Sequence, residues 1–243
     1  PEVASLTLGV RSGSQGRGLG QRLFKHALDH ARSRSCRKVR THWFYSNPRA
    51  VTFANLNGFV HKDTVLWSRF DTSHSISSWA LKKEQSALGA GIRVVRGTDF
   101  ESIRSDWDTV WWRHLMDAMH DVPMDIPFVE LPFETWRPFI EPPLMDRSRV
   151  LVALDDTTMA GLMYVGPPRQ NQVNIDHTSV ARSYRRRGIS TALKCAAIRL
   201  AKSMNADSVS TQNHQNNPMF ELNQCFGFQH LDSVAEGLKS LTV

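Results

Sequence analysis

Apolar positions along this chain pass twice from a two-residue to a 3.6-residue rhythm, and the second passage copies the first. Near the start, Ser5 to Val10 reads as a strand; Leu19, Leu23, Phe24, Ala27, Leu28 and Ala31 then hold one face of a helix. Much later, Gln172 to Val180 repeats the strand, and Ile189, Leu193, Ala196, Ala197, Leu200 and Ala201 repeat the helix. A second strand follows each (Lys38 to Phe44; Ser208 to Thr211), then a short helix from an Asn to a Gly-Phe pair that suits a C-terminal cap. The landmarks keep their spacing: Val10 to Gly18 and Val180 to Gly188 are 8 apart, Gly to Asn47 or Asn216 is 29 or 28, and Asn to Gly58 or Gly227 is 11 in both. Two copies of one module are expected.

The copies differ in what precedes them. The second has a lead-in that opens with a strand, Ile92 to Arg96, and a capping box, Thr98-Asp99-Phe100-Glu101. One helical stripe follows (Phe100, Ile103, Trp107, Val110, Trp111, His114, Leu115, Ala118) and is read as core. A proline-rich irregular stretch runs from Asp121 to Pro143, and a hairpin pairs Val150–Leu154 with Met159–Val165. The first copy has only nine residues before Val10, so it is expected to be an N-terminally incomplete module. The fold class is α/β with a mixed (α+β) sheet, arranged as a partial module (1–78), a linker (79–91) with a helix over Trp79 to Leu88, and a complete module (92–243).

A length of 243 residues, 41% hydrophobic and 22% charged, suits two globular units. No apolar run is long enough to span a membrane, and no signal-peptide pattern opens the chain, which also lacks an initiator Met. Three scattered cysteines (Cys36, Cys195, Cys225) argue against a disulfide framework or zinc ribbon, so no metal and a reducing, cytoplasmic setting are expected. The net charge of +7 suits a polyanionic partner. Basic residues gather in the strand–helix turns and along Arg32 to Arg40 without interleaved stacking aromatics, so nucleic acid is not the expected partner.

The turn itself aims backbone N–H groups and a positive helix end at one spot, where glycine lets an anion approach. Arg182, Arg185, Arg186 and Arg187 can pair with phosphates there. The turn reads either as a pyrophosphate cradle or as a glycine-relieved corner with solvated arginines. A Walker A loop needs Gly-Lys-Ser/Thr, which neither copy has; a dinucleotide fingerprint needs an acid where the first copy carries Lys38 and Arg40.

Val, then Gln15 or Arg185, then Gly18-Leu19-Gly20 or Gly188-Ile189-Ser190, then Asn, then Gly-Phe, resembles the GNAT (GCN5-related N-acetyltransferase) superfamily. Two such modules resemble tandem GNAT proteins of the mycothiol-synthase kind. The resemblance implies acetyl-CoA as co-substrate. It implies pyrophosphate on the amides of Arg185, Arg186, Arg187, Gly188, Ile189 and Ser190, and, in the first copy, on Gln15, Gly16, Arg17, Gly18 and Gly20 after Val10. It further implies pantetheine along Thr178 to Val180, with the Val180 amide polarising the thioester. Asn213, Asn216 and Asn217 either reach pantetheine amides or cap a helix.

Acyl transfer to an amine also needs a base. Strand alternation puts Asn174, Asp176, Thr178 and Val180 on one face, where Asp176 is the only carboxylate; it reads as the base or as a surface Asp. His177 points the other way and reads as a packed histidine. The tyrosine this family places seven residues after the Asn is absent: the count reaches Asn223, which could hydrogen-bond the leaving sulfur, and Ala54. In the acidic loop, Asp121, Asp125 and Glu130 are expected to receive a small cationic amine acceptor. The first copy is expected to bind CoA weakly or to serve as a structural half, and its exposed edge at Val3 to support a homodimer. Two functions follow, an N-acyltransferase working in residues 92–243 and a non-catalytic acyl-CoA-binding protein.

Overall fold

The computed structural model describes residues 2–122 and 128–241. Along the chain the strands are β1 (Val3–Ser5), β2 (Lys38–Phe44), β3 (Val60–Asp71), β4 (Ile92–Arg96), β5 (Val150–Asp155), β6 (Thr158–Val165), β7 (Gln172–Val180), β8 (Ser208–His214) and β9 (Gln229–Ser240). The helices are α1 (Leu19–Ser33), α2 (Pro48–Leu56), α3 (Ser78–Gly89), α4 (Gly97–Ile103), α5 (Trp107–Met119), α6 (Phe133–Trp136), α7 (Ile189–Ser203) and α8 (Pro218–Phe226). Two compact units result, and neither is one stretch of chain. One holds the chain through Trp67, Asn213–Asn216 and the chain from Leu231; the other holds Ser68–Gln212 and Asn217–His230.

In the first unit β1 runs parallel to β2, Val3 opposite Lys38, and β9 runs antiparallel to β2 on its other side. The strand expected over Ser5 to Val10 is instead Val3–Ser5. Past Ser5 the chain stays tied to β2 at Leu6, whose N donates to Arg40 O at 2.8 Å and whose carbonyl accepts from Thr41 Oγ1 at 2.9 Å. α1 buries Phe24, Leu28 and Ala31, spaced one helical turn apart, half-buries Gly20 and Ala27, and exposes the rest. They pack with Val39 and Trp43 of β2, Ala54 of α2, and Phe59.

In the second unit β4 to β7 run antiparallel in order, and β8 joins β7 in parallel. β5 and β6 are buried almost throughout because helices cover both faces, as their continuous apolar runs demand. One core lies around α7, α3 and the sheet, the other under α4, α5 and α6. Ten of the fifteen residues of α7 are buried, so it is a central helix where α1 is a one-faced one. The buried Glu84 of α3 pairs both carboxylate oxygens with Arg199 of α7 (2.5 and 2.6 Å), a planar match that fixes the crossing of these helices.

The single stripe expected over Phe100 to Ala118 is two helices, because Arg104 is extended (φ −135°) and chelates Asp106. The expected box at Thr98 is also displaced: α4 starts at Gly97, Asp99 accepts from the Arg96 amide at 3.3 Å, and Glu101 is drawn to Arg147 instead. β3 and β9 carried no readable alternation and were not expected.

One residue of α7 departs from its register. Lys194 is wholly buried six residues after Gly188, where Phe24 follows Gly18, and its ammonium lies 5.0 Å from the Phe228 ring as Phe24 lies 5.7 Å from Phe59. Burial pushes Lys194 down to about 7, against 10.5 for an exposed lysine. The unfolded chain therefore binds the extra proton between those values, and stability rises as pH climbs from about 7 toward 10.5. Lys194→Met is expected to melt several degrees above the parent at pH 7, with a gap that narrows toward pH 10; a gap constant with pH in calorimetry would contradict this account.

Candidate functional site

The site of the second unit is built where two strands part. β7 and β8 pair only from Gln172/Ser208 to Ile175/Thr211, whereas β7 continues beside β6 to Val180. The bond from Ala181 N to Ala160 O (3.0 Å) sets the phase: Gly161 and Val180 face each other without bonding. The amides of Thr178 and Val180 therefore point away from β6, toward the open edge. Immediately beyond, a 3₁₀ turn (Arg182–Tyr184) leads through Arg186, at φ +64°, to Gly188, at φ +79°, and so to the head of α7. Arg185 Nε returns to the Val180 carbonyl at 3.1 Å.

The first unit repeats this hardware. Ser12–Ser14 form the 3₁₀ turn, Gly16 and Gly18 take φ +76° and +73°, and Gln15 Nε2 donates to the Val10 carbonyl at 2.9 Å. Arg186 stands where the first copy has Gly16, so a β-carbon is carried into a left-handed conformation that costs about 1 kcal/mol.

The two turns differ in access. In the first unit a cleft of about 850 Å³ runs from Leu6–Val10 and Thr41–Trp43 to the Gly16–Gly20 turn. A β-carbon built at Gly13, Gly16 or Gly18 would meet nothing within 4 Å. Arg49 closes on Gln15 Oε1 at 2.6 Å and sets a guanidinium at the mouth. In the second unit a β-carbon at Gly188 would lie 2.9 Å from the Lys83 carbonyl of α3. Arg182 and Arg185 there clasp Asp121, and these two partners hold its carboxyl far below the usual range.

Among the expected cradle residues, Arg17, Arg185, Arg186 and Arg187 are exposed, Ile189 is buried, and Ser190 is half-buried. Arg187 lies over the Tyr184 ring at 5.1 Å. A β-carbon built at Gly20 would lie 3.7 Å from the side chains of Val10 and Phe53. Asn213 and Asn216 belong to the first unit. The residue matching Asn47 is Asn217: each is followed by proline and caps its helix, Asn47 on the Ala50 amide (3.2 Å) and Asn217 on the Met219 amide (2.9 Å). Asp176 is exposed, accepts from Asn174 Nδ2, and sits beside Gly166, whose missing side chain leaves it room. Asn223 is fully buried and accepts from Lys194 Nζ. Glu130 pairs with His120 at 2.8 Å, and Asp125 lies outside the described residues.

Sequence reasoning missed a polar cluster behind β7. His114 of α5 and His177 both meet Ser179 Oγ at 2.9 Å, and burial lowers each imidazole to about 4, so both are neutral at pH 7. His114 also lines, with Asp117, Val180 and Arg182, a cavity of about 510 Å³. Its place in the stripe hid it, since a histidine in helical register reads as core; the pairing with His177 is visible only once α5 lies on β7.

The acetyltransferase (GNAT) family model matches residues 1–59 and 112–228. Among solved structures, a tandem GNAT protein from the clavulanic acid biosynthesis pathway aligns over 98% of this chain and 75% of its own, at TM-score 0.72 and 20% identity. A GCN5-related N-acetyltransferase from Sphaerobacter thermophilus aligns over 95% and 70%, at 0.67 and 16%. A glucosamine N-acetyltransferase region of a fungal multi-domain β-N-acetylglucosaminidase aligns over 97% and 29%, at 0.71 and 15%. At these identities they show the shared fold. No curated protein sequence matches the chain.

Asp121 now has a definite effect. Its carboxylate engages Arg182 and Arg185 beside the second turn; on the reading proposed below, Asp121→Asn frees them and tightens coenzyme A binding by about two- to five-fold at low salt. Calorimetry checks this; an unchanged Kd with a raised acceptor KM would return Asp121 to the acceptor side.

Proposed function

Because the chain belongs to the GNAT acetyltransferase family, whose members in general are acyl-CoA-dependent N-acyltransferases, we propose that it transfers an acetyl group from acetyl-CoA to the primary amine of a small cationic acceptor by direct attack in the second unit. The observation that carries the reading is the turn of the Thr178 and Val180 amides toward the open edge of β7, directly ahead of the Gly188-headed helix. Such a row of donors fits an extended pantetheine, and the helix head fits a diphosphate. Acetyl-CoA, when bound, supplies the activated acyl thioester.

The chain's own residues then have these roles. Amides of Arg185 to Ser190 hold the diphosphate. The Val180 amide donates to the carbonyl oxygen as negative charge develops on it, the kind of aimed donor whose loss costs about 10²–10³ in rate. Asp176 accepts the ammonium proton, Asn174 fixes its carboxylate, and as the C–S bond breaks the thiolate departs to be protonated by water. Asp117, in the wall of the 510 Å³ cavity, attracts the acceptor's positive charge. The open cleft of the first unit takes up CoA on Gln15 to Gly20 without chemistry. A second base is favoured by one observation: neutral His114 lines that cavity beside Val180.

Thiol release from acetyl-CoA across a panel of primary amines tests the reading. Asp176→Asn is expected to lower kcat by about 10²-fold or more with KM for acetyl-CoA unchanged. A loss in His114→Gln instead assigns the base to His114. Binding without turnover on any amine favours an acyl-CoA-binding protein, and no heat with coenzyme A at millimolar concentration ends both readings.

A further inference from the structure

Away from both cradles, three strands of the first unit bring nitrogen and oxygen donors together. Within that unit β3 lies between β9 and the end of β8; Gln215 N donates to Thr64 O at 2.9 Å across the latter pair. Each strand sends one side chain to the same place: Asp63 from β3, His214 from β8 and Glu236 from β9. One donor atom from each lies within 4.8 Å of the others, and all three residues are half-buried. His214 Nδ1 meets Asp63 Oδ2 at 2.5 Å. The Glu236 carboxylate makes no hydrogen bond or ion pair among the described residues, so one imidazole faces two carboxylates.

Trp43 alternates with His42 on β2 and packs on the core with α1 and α2. His42 is the residue opposite Glu236, so Glu236 stands on the face away from those helices. The donor atoms sit on neighbouring strands of a sheet, whose spacing of about 4.8 Å already approximates the separation needed. Donors around a tetrahedral zinc at 2.0–2.1 Å lie about 3.3 Å apart, a change that side-chain rotation alone supplies.

We propose that Asp63, His214 and Glu236 bind a divalent transition-metal ion, with His214 Nδ1 and one oxygen from each carboxylate as ligands and water in the remaining position. The mixed nitrogen–oxygen set suits zinc or manganese rather than the all-oxygen shells of magnesium and calcium. Binding displaces any proton shared between His214 and Asp63 to solvent, leaving the imidazole neutral with its hydrogen on Nε2. The ion cross-links strands that are far apart in sequence, and so stabilises the first unit by mass action.

The test uses the full chain, stripped with chelator and titrated calorimetrically with zinc chloride. One ion per chain with micromolar or tighter affinity is expected, with a melting midpoint raised by several degrees and no response to magnesium. Glu236→Gln, which breaks no hydrogen bond among the described residues, should weaken binding by at least about ten-fold, and His214→Gln likewise. Cobalt should give a visible d–d spectrum that both variants lose. Absence of binding at 100 µM zinc, or binding that survives both variants unchanged, overturns the proposal; so does a cobalt spectrum that His214→Gln leaves intact.

Discussion

The arrangement of the second unit depends on where the β7–β8 ladder stops. Parallel pairing that ran on past Ile175 would spend the Thr178 and Val180 amides on β8 and close the edge. Because β7 is still held by β6 to Val180, the free amides do not cost the strand its order. The bond from Ala181 to Ala160 fixes which amides face outward; a shift of one residue would turn Ser179 outward and bury Val180 in the ladder. Everything later in the turn, from Arg185 gripping the Val180 carbonyl to the left-handed Gly188, begins from a strand end held in that phase.

Duplication makes the two turns a controlled comparison. Both keep the 3₁₀ turn, the side chain returning to the Val carbonyl, and a left-handed glycine at the helix head. What changed is the surroundings. In the first unit nothing crowds the glycines, and a cleft remains. In the second, α3 approaches Gly188, Asp121 bridges two arginines, and a buried lysine replaces a buried phenylalanine. The backbone conformation was retained while the chemistry around it diverged, as expected if the turn is over-determined by its own local bonds.

Much of this was legible in the chain. The spacing from Val to Gly to Gly-Phe named both turns, because each landmark has a local cause: a strand end, a left-handed corner, a helix cap. Lys38 to Phe44 and Gln172 to Val180 came out with their bounds. What stayed hidden depends on partners remote in sequence. β9 alternates poorly, with polar residues such as Asp232, Glu236 and Lys239 between apolar ones, and gains its strand character from β2. Asp121 reads as a free acid until Arg182 and Arg185 are folded against it. The helix is interrupted at Arg104, which is extended and pairs with Asp106, although the apolar register continues unbroken across it. Asn217 rather than Asn216 caps α8 because only it precedes the proline, a distinction that counting to the nearest Asn could not make.

The pairing of β2 with β9 carries a consequence for how the protein comes into being. Lys38 lies opposite Ser240, so the first unit's sheet is finished only by residues some two hundred positions further along the chain. Until then β2 presents an unpaired flank, and loop closure over some two hundred residues must precede its ladder. During synthesis β2 is thus made well before the partner that completes its sheet, and waits with that flank exposed to chaperones and proteases.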